Sequence, residues 1–231
     1  MRPVNLQALS RRVGLGRERL PARVYLPAML TKPLSKQYGF ERGLPLDRKC
    51  IELFLERHAD AIHGRCLEVK ENHYVRRFGA QRVAHCDIVD IDASNPQATI
   101  VADLHDLADV EDETFDCVVV TNTLQYLRDP KKGIQQLHRV LKFGGTLLAT
   151  FPALGKVEEG ATDYWRFMPD GVRALFDEEA WSSDMTEYGN ALMGVALMTG
   201  MATRDVPARA WTDQDPDFPC TIGLRAVKRA A

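Results

Sequence analysis

The chain has 231 residues, of which 45% are hydrophobic and 27% are charged, as in a soluble globular protein with one main domain. A formal net charge of −2 excludes a general attraction to nucleic acid or to an anionic membrane. The five cysteines show no CxxC pair and no zinc spacing, so we expect reduced thiols, no metal centre and a cytoplasmic location.

The first 46 residues differ from the rest of the chain. They contain nine lysines and arginines against two glutamates, and five prolines interrupt them. This composition predicts a basic arm or lid over residues 1–46, followed by one domain over residues 47–231. Because a bilayer span needs about 20 apolar residues, VYLPAML in the arm is far too short to cross a membrane.

From Asp47 onward, predicted helices alternate with predicted strands. DRKCIELFLERHADAI has helical periodicity, with Asp47 as its expected N-cap. Further helices are expected at YVRRFG, PKKGIQQLHRVLKFGG, VRALFDEE and NALMGVALMTG. The strands are expected at RCLEV, RVAHCDIV, ATIVAD, FDCVVVTN, TLLATFP, DMTEYG and PCTIGLRAVK. This alternation predicts an α/β fold with a doubly wound, mostly parallel sheet.

Polar side chains follow the predicted strands at their carboxyl ends, where open α/β sheets bind ligands. Carboxylates end the first three strands, and they suit a ligand that carries an amine, a ribose diol and an exocyclic amine. The polar positions, strand by strand, are Glu68, Lys70, Asn72 and Tyr74; Asp87 and Asp90; Asp103 and His105; Asn122, Gln125 and Tyr126; and the DYWRF segment at 163–167.

Five segments together carry a family resemblance: LEV-x4-Y, VADL, DETFDCVVVTNTLQYLRDP, LHRVLKFGGTLLATFP and DYWRF. They resemble the class I S-adenosylmethionine-dependent methyltransferases, most closely a branch that often accompanies glycosyltransferases. The resemblance covers residues 35–228. It implies a Rossmann-like sheet of about seven strands with the last strand antiparallel, and S-adenosylmethionine as the cofactor.

The resemblance also implies roles for the residues at the strand ends. Glu68 would lie beside the methionine end of the cofactor, and Asp103 would accept a hydrogen bond from the adenine amine. Asp87 or Asp90 would bind the ribose hydroxyls, and we prefer Asp87 because it ends an apolar run. Further positions are the Leu104 backbone beside the adenine, with Asn122 and Gln125 at the methyl end.

The glycine-rich loop of the family is replaced here by bulkier residues. Its acidic-x-Gly-x-Gly-x-Gly pattern reads Glu68, Lys70, Asn72 and Tyr74, and glycine normally allows close approach and positive φ. In one interpretation Lys70 pairs with the cofactor carboxylate, Asn72 tolerates the left-handed conformation and Tyr74 covers the cofactor edge. In the other, the loop is occluded and Lys70 is a surface residue. Carboxylates at all three strand ends favour the first.

The DYWRF segment lies above the expected acceptor site. Asp163 could serve as a base for an alcohol acceptor, while Tyr164, Trp165 and Arg166 could stack on the acceptor and hydrogen-bond to it. The alternative is a packing loop, with Trp165 in the core and a local ion pair between Asp163 and Arg166.

The sequence therefore predicts O-methylation of a saccharide or a small hydroxylated metabolite, with alignment as the main catalytic contribution. His105 is a second candidate base, although a histidine after a strand is also often structural, and Tyr126 could orient the acceptor. The preference for a glycan rests on the resemblance alone. Two alternatives stay open: a methyltransferase-like partner or scaffold in a biosynthetic assembly, and an enzyme of this fold with another reaction. We expect no nucleic-acid partner, and the oligomeric state is left open.

Overall fold

A computed structural model of the chain describes residues 32–230, so most of the predicted basic arm lies outside the described residues. Within this range no helix is both long enough and apolar enough to cross a bilayer. Seven strands form one sheet: β1 (Gly64–Val69), β2 (Val83–Asp90), β3 (Ile100–Val101), β4 (Phe115–Thr121), β5 (Leu141–Pro152), β6 (Trp181–Tyr188) and β7 (Thr221–Lys228).

The strand order in the sheet is β3-β2-β1-β4-β5-β7-β6. Strand β1 pairs in parallel with β2 and β4, and the pairs β2–β3 and β4–β5 are also parallel. Strand β7 runs antiparallel to β5. This architecture confirms the predicted doubly wound sheet with an antiparallel last strand. The order reverses between β1 and β4, which is where such sheets bind their ligands.

The α-helices are α1 (Leu46–Arg57), α2 (Pro130–Val140), α3 (Pro169–Arg173), α4 (Ala191–Thr199) and α5 (Arg209–Thr212). Short 3₁₀ turns lie at Phe40–Arg42, Ala59–Ala61, Ala80–Arg82, Leu124–Tyr126 and Thr203–Asp205, and a π-helical turn lies at Val75–Gly79. Helix α2 begins as its sequence indicates: Pro130 is its first residue, and the Asp129 side chain accepts a hydrogen bond from Lys132 N.

Several element boundaries differ from the prediction. The helix expected at VRALFDEE lies instead at Pro169–Arg173, and the strand expected at ATIVAD is reduced to Ile100–Val101. Helix α1 begins at Leu46, so Asp47 lies inside the first turn and is not the N-cap. Helix α2 ends at Val140, and Leu141 already pairs with Phe115 as the first residue of β5. The expected helix through Phe143 is therefore wrong, because pairing with β4 overrides the local helical periodicity.

The chain divides into two compact units. The first contains residues 32–50, 154–156 and 188–220 of the described range. Within it, Arg42 and Asp205 form a buried bidentate ion pair with nitrogen–oxygen distances of 2.7 Å, and the Asn190 side chain caps α4.

The second unit contains residues 51–153, 157–187 and 221–230, and with them strands β1–β5, strand β7 and every predicted site residue. Its core includes Phe115, Val118 and Val120 of β4 together with Leu137 of α2. Since apolar residues occupy both faces of β4, this strand is covered on both sides, as the largely apolar run FDCVVVT indicates. In the same unit, Cys66 is in register with Cys86 on β2 and with Cys117 on β4, which places three free thiols in one row.

Candidate cofactor and acceptor site

The turn after β1 closes without glycine because Lys70 itself adopts the left-handed conformation, with φ of 73°. Its backbone N–H donates to Val89 O at 2.8 Å, and its carbonyl accepts from Asn95 Nδ2 at 2.8 Å. Asn72 is not among the residues with positive φ; its carbonyl accepts from Arg76 N and begins the following helical turn. The expectation that Asn72 would take the left-handed position is wrong, because the turn is already made at Lys70.

Glu68 holds this turn from inside. Its side chain is only 2% exposed, and its two carboxylate oxygens accept hydrogen bonds from Tyr74 N at 3.1 Å and Val75 N at 2.8 Å. Burial raises the pKa of Glu68 to about 7, although the two backbone hydrogen bonds oppose the shift. The carboxylate therefore caps the helical turn, whose first amides would otherwise lack partners.

Tyr74 has a packing role in this turn. Its side chain is buried, and its ring contacts the rings of His73 and Phe78, with the Tyr74 and Phe78 centroids 6.3 Å apart. These contacts anchor the helical turn and provide bulk where the family loop has glycine. They support a structural role for Tyr74 rather than the predicted cofactor contact.

The second strand corrects the choice between the two aspartates. Strand β2 continues to Asp90, so Asp87 does not end it. Asp87 is buried, and its oxygens accept hydrogen bonds from Arg65 Nε at 2.9 Å and Thr99 Oγ1 at 3.0 Å. Burial alone would raise the pKa of Asp87, but these hydrogen bonds outweigh it and the pKa is lowered. Asp87 is thus a paired carboxylate inside the strand, and the reason for preferring it at the ribose, its position at the strand end, was wrong.

Asp90 is the acidic residue at the tip of β2. It is partly exposed, and its oxygens accept from Asn95 Nδ2 at 2.7 Å and from Asp92 N at 3.1 Å. The same Asn95 amide also donates to Lys70 O, so one side chain joins the tips of β1 and β2. The sequence analysis missed Asn95. The polar turn DASNP that contains it is the signal that could have located it.

The third tip contains Asp103, Leu104 and His105. Asp103 Oδ1 accepts from His105 N at 2.8 Å and from His105 Nδ1 at 2.7 Å, and its pKa is lowered because these bonds outweigh burial. His105 Nε2 accepts from Asp129 N at 3.2 Å. Because a backbone N–H donates to Nε2, the ring proton lies on Nδ1 and the lone pair is engaged. This arrangement contradicts the predicted role of His105 as a base. The Leu104 side chain is buried in the core.

The fourth tip carries Asn122 and Gln125. Asn122 is left-handed, with φ of 44°, and its N–H and Oδ1 both bond to Thr150. Gln125 is 4% exposed, and its Nε2 donates to Asn122 O at 2.6 Å. The Gln125 Oε1 atom is buried and accepts no hydrogen bond from residues 32–230. Next to it, Tyr126 is half-buried, and burial raises the pKa of its hydroxyl, with the adjacent Gln125 amide opposing the shift.

The DYWRF segment is docked onto this fourth tip. The backbone N–H groups of Tyr164 and Trp165 both donate to Gln125 O, at 2.9 and 3.3 Å. Trp165 Nε1 donates to Leu127 O at 2.8 Å. The ring of Trp165 is nevertheless not in the core, since the residue is 43% exposed and Tyr164 is 46% exposed. Leu127 O therefore holds the Trp165 ring at the surface, on a segment whose backbone is bound to Gln125, and the neighbouring Tyr164 is also exposed.

Asp163 and Arg166 form a bidentate ion pair with nitrogen–oxygen distances of 2.6 and 2.7 Å. Asp163 is 2% exposed in its side chain and also accepts from Glu158 N. The predicted role of Asp163 as a base is contradicted, because its carboxylate is buried and both its oxygens hold the loop. Arg166 is likewise used to neutralise Asp163. In the described part of the chain no three His, Cys, Asp or Glu side chains are grouped to hold a metal ion.

Comparisons with known proteins agree with the fold described above. Residues 66–149 match a family model described as a methyltransferase domain. Structures of similar fold include YcgJ from Bacillus subtilis (13% identity, 79% of this chain and 99% of that one, TM-score 0.53). The N-methyltransferase NodS from Bradyrhizobium japonicum, solved with S-adenosylhomocysteine, has 15% identity over 82% and 90% of the two chains and a TM-score of 0.51. This chain has the fold of the S-adenosylmethionine-dependent methyltransferases.

The curated relatives match this chain over only part of their length. The ubiquinone/menaquinone biosynthesis C-methyltransferase UbiE of Marinomonas is 27% identical over 38% of this chain and 44% of that protein. UbiE of Proteus mirabilis is 26% identical over the same shares. The match thus spans less than half the length of these relatives.

Proposed function

We propose that this protein transfers a methyl group from S-adenosylmethionine to a hydroxyl group of a saccharide or another small hydroxylated molecule. One observation carries the proposal. Carboxylates lie at the ends of three adjacent parallel strands, Glu68 on β1, Asp90 on β2 and Asp103 after β3, next to the point where the strand order reverses. That placement suits an adenosyl ligand.

The residues at the strand tips fit the chemical groups of the cofactor. Asp90 is oriented by Asn95 and Asp92 N and is the candidate for the ribose hydroxyls, since a carboxylate has about four acceptor sites. Asp103 is the candidate for the adenine amine, and the exposed Lys70 is the candidate for the methionine carboxylate. Glu68 acts indirectly, because both of its oxygens hold the turn that carries Lys70.

S-adenosylmethionine, if held by Lys70, Asp90 and Asp103, would supply an electrophilic methyl group and leave as S-adenosylhomocysteine, while the acceptor hydroxyl would release its proton to solvent. The contribution of this chain is alignment. Asp163 and His105 are engaged in internal hydrogen bonds, so neither is proposed as a base. The polar groups of Gln125 and Tyr126 at the fourth tip support a hydroxyl acceptor, whereas the UbiE relatives are named as C-methyltransferases.

Calorimetric titration with S-adenosylhomocysteine tests the cofactor site. Asp90→Asn and Asp103→Asn should each lower the affinity about ten- to a hundred-fold, because hydrogen bonds to charged groups contribute about 1.5–3 kcal/mol. Asp109→Asn is the matched control: this exposed aspartate lies outside the strand tips and should leave the affinity unchanged. Asp87→Asn should lower the melting temperature without a comparable loss of affinity.

Two results would contradict the proposal. The absence of heat and of any thermal shift at millimolar S-adenosylhomocysteine would end it, and would favour a partner or scaffold without methyl transfer. If the cofactor binds, transfer of a tritiated methyl group to hydroxylated rings and the position of the label in the product decide between oxygen and carbon as the methylated atom.

A further inference from the structure

The side-chain amide of Gln125 is satisfied on only one of its two ends. Nε2 donates to Asn122 O at 2.6 Å. Oε1 is buried and has no hydrogen-bond partner among the described residues, and the residue as a whole is 4% exposed. Buried acceptors are normally paired, so an acceptor left over in an interior position needs an explanation.

The orientation of this amide is fixed by chemistry. The atom of Gln125 that lies 2.6 Å from the Asn122 carbonyl must be the nitrogen, because two carbonyl oxygens at that distance would repel each other. Rotating the amide by 180° therefore cannot pair Oε1 with Asn122. The neighbouring Tyr126 hydroxyl interacts with the donor end of the same amide, and no residue among 32–230 donates to Oε1 in this conformation.

The surroundings of Gln125 indicate what kind of molecule brings that donor. The backbone carbonyl oxygen of Gln125 accepts hydrogen bonds from the backbone N–H groups of Tyr164 and Trp165. Trp165 Nε1 donates to Leu127 O. The Trp165 ring is thus held in place while 43% of the residue stays exposed. A fixed, exposed indole beside a buried acceptor suits a ring that has an apolar face and a hydroxyl at its edge.

We propose that Gln125 determines acceptor specificity by accepting a hydrogen bond from a hydroxyl group adjacent to the one that is methylated. The acceptor class is then a ring with two neighbouring hydroxyl groups, and its apolar face packs against Trp165. This inference rests on the proposed function and narrows its substrate class. It needs no charged group on the acceptor, which agrees with the neutralisation of Arg166 by Asp163.

The test compares pairs of ring probes that differ by one hydroxyl. Catechol against phenol, and methyl glucopyranoside against its monodeoxy analogues, are titrated by saturation-transfer NMR into protein saturated with S-adenosylhomocysteine. In at least one pair, the diol should bind about tenfold more tightly than its partner, the size expected of one hydrogen bond. Gln125→Met should remove this ratio while the affinity for S-adenosylhomocysteine is retained.

Three further variants sharpen the assignment. Gln135→Met, at an exposed glutamine of α2, is the matched control and should keep the ratio. Trp165→Ala should weaken the binding of both probes of a pair equally, since an indole face does not detect the additional hydroxyl group of the diol. Gln125→Asn keeps the amide but withdraws it by one methylene, so it should lower the ratio, and it decides the matter if Gln125→Met does not fold.

The proposal is overturned if no ring probe binds, or if the affinity ratio is unchanged in Gln125→Met. The ratio could also be unchanged in Gln125→Met and lost in Tyr126→Phe. The last outcome would transfer the role to the neighbouring phenol. Failure of the proposed function is visible separately, because S-adenosylhomocysteine would then not bind. Ring titrations in the absence of S-adenosylhomocysteine would still test whether Gln125 binds the hydroxyl group of the probe.

Discussion

The turn after β1 and the tip of β4 differ in how completely their buried polar groups are hydrogen-bonded within the chain. In the turn, the Glu68 carboxylate is satisfied by two backbone amides, and Lys70 O is satisfied by Asn95. At the tip of β4, the left-handed Asn122 is held by Thr150, while Gln125 Oε1 is left without a partner in the described chain. A polar group paired within the chain contributes to stability, whereas an unpaired buried acceptor costs stability unless a ligand supplies its donor.

This contrast separates the acidic residues into two groups. Glu68, Asp87 and Asp163 are buried and engaged by their own chain, so their replacement should change folding stability first. Asp90 and Asp103 are more exposed and lie at the strand tips, so their replacement should change ligand affinity first. The following predictions test this division, from the largest expected effect to the smallest.

Asp163→Asn should lower the free energy of unfolding by about 3 kcal/mol or more, because it leaves Arg166 without its buried counter-charge. The matched control is Asp170→Asn. Asp170 and Arg173 are also an aspartate–arginine pair three residues apart, but both are exposed, and solvent-exposed pairs contribute little. Urea denaturation measures both variants. A methyl-transfer defect in Asp163→Asn with unchanged stability would restore its role as a base.

Glu68 predicts a specific pH dependence. Its pKa is raised in the folded protein from 4.5 to about 7, so between these values the folded state binds more protons than the unfolded state. Its contribution to the free energy of unfolding is therefore present at low pH and falls by about 3 kcal/mol as the pH rises from about 4.5 to 7.

Glu68→Gln should remove this part of the pH dependence, and Glu56→Gln, at an exposed glutamate of α1, should keep it. Urea midpoints measured at pH 5 and pH 7.5 give the comparison. Parallel curves for wild type and Glu68→Gln would mean that Glu68 is already ionised when buried, and that the two backbone hydrogen bonds outweigh desolvation.

Lys70→Gly should raise the free energy of unfolding by up to about 1 kcal/mol, because a left-handed conformation costs a non-glycine residue about 1–2 kcal/mol and glycine adds chain entropy to the unfolded state. Lys70→Ala removes the same charge but keeps the strain, so it is the control. Both variants should weaken the binding of S-adenosylhomocysteine if Lys70 contacts its carboxylate. Equal stability of the two variants would contradict the strain argument.

The sheet could be predicted because its signals are local. Apolar runs such as FDCVVVT and the alternation of strands with helices depend only on neighbouring residues. The details of the site depend on distant partners: Arg65 neutralises Asp87 from 22 positions away, and Asn95 holds Lys70 from 25 positions away. No local pattern contains these pairs.

The two rejected bases show the same limit in different degrees. His105 is engaged by Asp129 N, 24 positions away, which the sequence did not indicate. Asp163 pairs with Arg166 only three positions away, and this pairing was one of the two interpretations of DYWRF. The sequence did not show that Asp163 is buried, and its burial decides between a role in stabilising the loop and a role as a base.

The row formed by Cys86, Cys66 and Cys117 crosses three neighbouring strands at the middle of the sheet. Burial raises the pKa of Cys86 to about 12, and a hydrogen bond with Cys66 together with burial raises the pKa of Cys117 well above its ordinary value. Since only thiolates react readily and Cys66 and Cys117 are buried, a thiol reagent should modify these two residues only in molecules whose strands have separated. The rate of such labelling in native buffer would therefore report how often the centre of this protein opens, without any denaturant or introduced probe.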